Sequence, residues 1–202
     1  ACVSEDPPAT TADNSWWRAF NLADFGISEA ITVTSVEFGI ENAQAPSLGG
    51  AQDITVELFQ APAGSAPALG LESRGIATLA VPDQSLTCFE IAVEGASDAG
   101  TILVVSITPP DHTAGVALTG DVFFIGSNGF SETDDSYIMA PGCGATSPMT
   151  YADIGFPGIS VVMIVHGQLG ATSCYADCDE SGGLDFFDFL CFQNAFSAGD
   201  DY

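Results

Sequence analysis

Residues 174–196 read CYADCDESGGLDFFDFLCFQNAF, and oxygen-bearing side chains recur there at fixed intervals. Counted from Asp177, the side chains of Asp177, Asp179 and Ser181 fall at positions 1, 3 and 5, Gly182 at 6, Asp185 at 9 and Asp188 at 12. That is the ligand order of an EF-hand-type calcium loop, where a glycine at 6 permits the sharp turn and position 7, here Gly183, offers its backbone carbonyl. Leu184 supplies the apolar anchor at position 8. Calcium is a hard cation that takes 6–8 oxygens in a flexible shell, which such a loop provides. Four carboxylates converging on one point repel one another without the ion, so ordering of the loop is expected to depend on Ca2+. The competing reading is a solvated acidic turn capping a helix. One departure stands out: the usual bidentate glutamate of position 12 is replaced by the shorter Asp188.

The segment after the loop must position it, and its pattern predicts a helix. At 100° per residue, Phe186, Phe187, Leu190 and Cys191 share one broad arc, while Phe189, Phe192 and Phe196 cover most of the other side. Only narrow gaps near Asp188, Gln193, Asn194 and Ala195 are polar or small. A helix apolar nearly all round is buried on more than one face. Its phenylalanines, at about 2 kcal/mol each when buried, would form an aggregation patch if left in water. A single loop and helix cannot cover both faces. The segment is therefore expected to dock against its own body, a second protein or another copy of the chain.

The body, roughly residues 15–170, is strand-like throughout. Ile54, Val56 and Leu58 alternate with Thr55 and Glu57, and Phe89, Ile91 and Val93 with Glu90 and Ala92, the period-two pattern of a half-buried strand. Ile31 and Val33 begin such a pattern, and Val36, Phe38 and Ile40 continue it in the opposite phase. A bulge near Ser35 accounts for that slip. Further runs are Trp16–Leu22, Gly75–Ala80, Thr101–Ile107, Asp121–Ile125, Ser136–Met139 and Ile159–His166. The nearly continuous apolar runs Ile102–Ile107 and Ile159–His166 are expected to be central strands covered on both faces. Turn-rich clusters separate the runs at Ala43–Gln52, Ala61–Ala68, Pro109–Gly115 and Ala140–Pro148. About nine short strands spaced by such turns predict an all-β fold, an antiparallel two-sheet β-sandwich of jelly-roll-like form.

Composition narrows the functions. Two arginines, Arg18 and Arg74, no lysine and 27 acids give a net charge of −25. Nucleic acid is excluded as a partner because phosphate binding needs cations to displace counterions. An anionic membrane surface is excluded on the same ground, and the longest apolar run, Ile159–Val165, is too short for the roughly 20 residues of a membrane span. Yet 47% of the chain is apolar and 14% charged, whereas disordered acidic chains lack aromatics and branched aliphatics. A folded, extracellular or cell-surface protein is the expectation. The six cysteines fit an oxidising compartment with up to three disulfides. Of the fifteen connectivities open to six cysteines, Cys178 with Cys191 is the pairing favoured.

Weaker candidates lie elsewhere in the chain. Trp16-Trp17-Arg18 suggests one indole in the core, with the other either free to stack on a sugar or packed near Arg18. Ser131–Asp135 is acidic enough for a second calcium, with a solvated loop as the plainer reading. His112 and His166 lack a nucleophile motif, so no catalytic residue is assigned and the chain is not read as an enzyme. Residues 1–14, polar and carrying two prolines, are read as an arm outside the sandwich pattern. Pinned through Cys2, such an arm would add to a neighbour's sheet edge by strand pairing.

Two stretches carry a resemblance. NSWWRAFNLADFGI…TVTSVEFGIE, FFIGSN…SYIMAPGCG and IGFPGISVVMIVHG resemble a β-sandwich module of secreted proteins from environmental bacteria. That module implies location more than chemistry, and in those proteins it precedes a C-terminal attachment or sorting element. The segment 174–202, with LDFFDFLCF carrying Asp188 at loop position 12, resembles one half of a dockerin of the cysteine-containing, planctomycete type. Dockerins are duplicated calcium-loop-and-helix modules that plug extracellular proteins into cohesin-like partners, and one repeat occurs here. The resemblance implies docking on a protein partner, other copies of the chain included, head-to-tail into a filament or surface array. The rivals are a carbohydrate-binding module, with a glycan as ligand, and an accessory fragment of a larger surface hydrolase.

Overall fold

The computed structural model describes residues 2–3, 11–45, 50–64, 70–112, 121–130, 132–169, 186 and 189–190. The chain divides into two units, Ala1–Gln168 and Leu169–Tyr202. The predicted segments 1–14 and 15–170 thus fall almost wholly in the first unit.

The described part of the first unit is all-β. Its strands are β1 (Ser15–Asn21), β2 (Ile31–Gln44), β3 (Ala51–Pro62), β4 (Glu72–Pro82), β5 (Gln84–Ser97), β6 (Thr101–Thr108), β7 (Val122–Ile125), β8 (Ser127–Asn128), β9 (Ser136–Ala140), β10 (Ala145–Thr150), β11 (Ser160–Val161) and β12 (Met163–Leu169). They form a six-stranded sheet in the order β10-β9-β1-β6-β3-β4 and a second sheet in the order β12-β2-β5, with β7 also paired to β2. A short β8–β11 pair lies apart from both. Pairing is antiparallel.

Period two decides which side chains face inward. Ile54, Val56 and Leu58 of the six-stranded sheet and Phe38, Ile91 and Val93 of the second sheet join one buried cluster with Trp16, Leu103, Val105 and Ile107. The arrangement is sandwich-like. In β2 the pairing with β5 slips between Val33 and Ser35, at the predicted bulge, which lets both Val33 and Val36 point into the core. A one-residue slip exchanges the two faces of a strand, so the bulge restores the apolar face.

The two continuous apolar runs have different fates. β6 is covered on both faces: Leu103, Val105 and Ile107 enter the main core, while Ile102 and Val104 join Trp17, Ala19 and Ala61 in a second buried cluster. Residues 159–166, expected to behave likewise, instead break at Val162. Its N–H donates to the Gly126 carbonyl at 3.0 Å and its carbonyl accepts the Gly39 N–H at 2.9 Å, so the chain changes neighbours from β8 to β2 there. β12 then lies at the end of its sheet order with Ile164 47% exposed.

One stretch read as irregular, and the described residues of another, are ordered. Ala140–Pro148, expected to be a turn, holds a single 3-10 turn (Pro141–Cys143) and then enters β10. Pro148 is tolerated because β10 lies at the end of the sheet and its pairing with β9 is irregular between Ala145 and Met149, so Pro148 falls outside the paired register. The described residues of the predicted N-terminal arm are folded onto their own body. Cys2 is disulfide-bonded to Cys143 and Val3 bridges Thr11. Buried Asn14 accepts the Cys2 N–H at 2.6 Å and donates to the Cys2 and Ala12 carbonyls at 3.0 Å. Polar clamping of this kind leaves no hydrophobic period to read.

Candidate functional site

The predicted calcium ligands Asp177, Asp179, Ser181, Gly183, Asp185 and Asp188 lie outside the described residues, as do Phe187, Phe192, Phe196 and the pair Cys178 and Cys191. Of the predicted docking face, Phe186, Phe189 and Leu190 are described. All three have helical backbone. They are 66%, 58% and 37% exposed, and the Phe186 and Phe189 rings lie 6.5 Å apart, the contact expected of residues three apart on a helix.

In the first unit, acidic chemistry gathers around residues 132–135. Arg18 points from β1 toward this turn, its Nε 3.5 Å from Glu132 Oε2, and its guanidinium donates to the Met163 carbonyl at 3.2 Å and the Val161 carbonyl at 3.4 Å. It also lies 5.0 Å over the Phe20 ring, so the cation–π partner is Phe20 and not a tryptophan. Glu132 accepts both the N–H and the hydroxyl of Ser136 at 2.7 Å, and the Ser136 hydroxyl accepts the Val161 N–H at 3.0 Å. Asp134 accepts the Asn21 N–H at 2.8 Å. Burial, with Asp24 and Asp135 nearby, raises the Asp134 carboxyl above its usual range against the Asn21 N–H and Arg18. Burial and the same acidic neighbourhood push the Tyr137 phenol up to about 12. Glu132 and Asp134 therefore serve as acceptors that tie β1, β9 and β11 together. Among the described residues no three His, Cys, Asp or Glu side chains are disposed to hold a metal ion. Beside this turn opens a cleft of about 390 Å3 lined by Phe130, Glu132, Asp135, Thr150, Tyr151 and Gly158.

The tryptophans do not make a surface platform. Trp16 is in the main core against Phe123 at 5.6 Å. Trp17, on the opposite face of β1, is also buried, stacked on Phe59 at 5.3 Å with its Nε1 donating to the Ser15 hydroxyl at 2.7 Å. His166 is exposed, 3.4 Å from Glu37. Cys88 is a free, exposed cysteine.

A polar cluster that sequence reasoning missed lies at one end of the main core. His112 is buried, its Nδ1 2.8 Å from the Thr11 hydroxyl, which also accepts the Phe123 N–H at 3.1 Å. Burial lowers the His112 pKa against the pull of Asp121 and Asp111. Gln52 and Asp121 are buried as well. The signal was present: Gln52 shares the phase of Ile54, Val56 and Leu58, and Asp121 that of Phe123 and Ile125, so both are polar residues at core-facing positions.

Compared with known proteins, the chain matches no family model, and no significantly similar curated protein is found.

Proposed function

We propose that this chain is a non-enzymatic extracellular structural or assembly protein. Its all-β body is a two-sheet sandwich of jelly-roll-like form, and its tail is a dockerin-like calcium loop and helix that docks on a protein partner. Other copies of the chain are the first candidates, joined head-to-tail into a filament or surface array, since a heterologous contact that does not close generates an open assembly. The observation that carries this reading is the uninterrupted ligand spacing from Asp177 to Asp188 running directly into a phenylalanine-rich helix. Exposure of Phe186, Phe189 and Leu190 supports it, because clustered apolar side chains in water mark interaction surfaces.

Electron microscopy and analytical ultracentrifugation of the full chain test the proposal. Assemblies are expected in millimolar calcium, dissociating on chelation and absent from the Asp177→Ala/Asp188→Ala variant. A chain that stays monomeric in calcium overturns it.

A glycan-binding reading draws support from one place, the cleft beside Phe130. That ring is 80% exposed next to Glu132, Asp135 and Thr150, an apolar face beside polar groups. Glycan affinity abolished by Phe130→Ala would favour this reading over assembly.

A further inference from the structure

The cluster at the end of the main core has a surplus of acceptors. Asp121 is 0% exposed, and neither of its carboxylate oxygens has a hydrogen-bond partner among the described residues. Gln52, 6% exposed, donates its Nε2 to the Val122 carbonyl at 3.1 Å, but among the described residues its Oε1 is unpartnered. His112, 8% exposed, has Nδ1 on Thr11 and an Nε2 that is likewise unpartnered among the described residues. Nearly all buried polar atoms in folded proteins have a partner, and an isolated buried carboxylate is among the costliest groups to leave alone. Four orphan atoms from three neighbouring side chains call for one explanation.

The fold brings these side chains together. β7 pairs with β2 through Val122–Ile125, and Asp121 precedes it in the inward phase of Phe123 and Ile125. Gln52, in the inward phase of β3, reaches the carbonyl of Val122, the residue after Asp121. β6 ends at Thr108 opposite Thr55, so the chain continues toward the Gln52 end of β3 and delivers His112. Thr11 closes the group, its N–H on the Asp121 carbonyl at 3.2 Å and its hydroxyl on His112.

We propose that Asp121, Gln52 and His112 form a binding site for one divalent cation of the Mn2+ class. The orphan atoms are three oxygens, all acceptors, and one imidazole nitrogen. Water satisfies a pair of acceptors with its two hydrogens, whereas a cation satisfies all four atoms and neutralises the carboxylate. A carboxylate and an amide oxygen suit hard ions, while imidazole suits first-row transition metals, and Mn2+ lies where the two preferences overlap. Thr11 holds the ring: with Nδ1–H donating to its hydroxyl, Nε2 presents a lone pair to the metal, as outer partners of metal-bound histidines do. The site does not depend on the tail, which has its own predicted calcium ligands.

The test uses the full chain carrying Asp177→Ala and Asp188→Ala, so that the tail loop does not compete. Metal is stripped with chelator and Mn2+ alone is added. Binding of one Mn2+ per chain is expected, with a nitrogen coupling from one imidazole in pulsed electron paramagnetic resonance. His112→Gln should erase that coupling, and Asp121→Asn should weaken binding at least tenfold, the loss typical of a damaged metal site. No tight Mn2+ binding, or bound Mn2+ without nitrogen coupling, overturns the proposal. That measurement stands even if Asp121→Asn fails to fold.

Discussion

Cys2 is joined to Cys143 across 141 positions of sequence, with Cα atoms 5.7 Å apart. The bond anchors the start of the chain to the 3-10 turn before β10, where the Gly142 N–H also donates to Asp13 at 3.0 Å. Cross-linking so long a loop removes conformations chiefly from the unfolded chain. Cys2→Ser/Cys143→Ser is therefore expected to lower stability by about 4 kcal/mol, read as the shift of the urea-unfolding midpoint. A shift below about 1 kcal/mol would show that Asn14 and its bonds hold the segment without the disulfide.

Gly75 and Gly95 mark where β4 and β5 come close. A Cβ on Gly75 would lie 2.1 Å from the Glu94 carbonyl oxygen, and one on Gly95 2.7 Å from Leu58 Cδ1 and 2.8 Å from the Arg74 carbonyl oxygen. At Gly75 every close atom is backbone, which cannot swing aside as a side chain can. Gly75→Ala is expected to cost about 2 kcal/mol or more, in the range of overpacked positions. Gly158, where a Cβ meets nothing within 4 Å, is the control: Gly158→Ala should change stability by less than about 0.5 kcal/mol. Thermal unfolding of the two variants side by side checks the contrast.

How far the sequence foretold this architecture depends on which signals are local. The phase change from Val33 to Val36 is written in adjacent residues, so the bulge in β2 was legible. The nearly continuous apolar run Ile102–Ile107 likewise announced a strand covered on both faces. The break at Val162 was not legible, because it depends on Gly39 of β2 and Gly126, between β7 and β8, coming within hydrogen-bond reach from distant parts of the chain. Asn14 failed for the same reason: an amide clamping Cys2 leaves no periodic trace. Thr11, Gln52, His112 and Asp121 come from four separated segments, and only two of them carry a phase that flags them. For the calcium loop the reverse holds. Its spacing is contiguous in sequence, while its ligands lie outside the described residues.

Asp134 gives the fold a pH dependence whose sign is fixed by its surroundings. Burial, aided by Asp24 and Asp135, raises its carboxyl above the usual range despite the Asn21 N–H and Arg18. A folded-state pKa above the unfolded value of about 3.9 means that the folded chain holds more proton in the interval between the two. The stability this group contributes is complete below that unfolded value and is lost as pH rises through the folded one. Asp134→Asn removes the titration, and its amide oxygen can still accept the Asn21 N–H that Asp134 accepts at 2.8 Å. The variant is expected to be the more stable of the two near neutral pH, by less than about 1 kcal/mol because the site is partly open to solvent. The advantage should shrink toward pH 3, where the wild-type carboxyl is protonated as well. Melting temperatures of both proteins across that range decide it: a wild type that gains on the variant as pH rises would mean that Arg18 and the Asn21 N–H outweigh burial at this carboxylate.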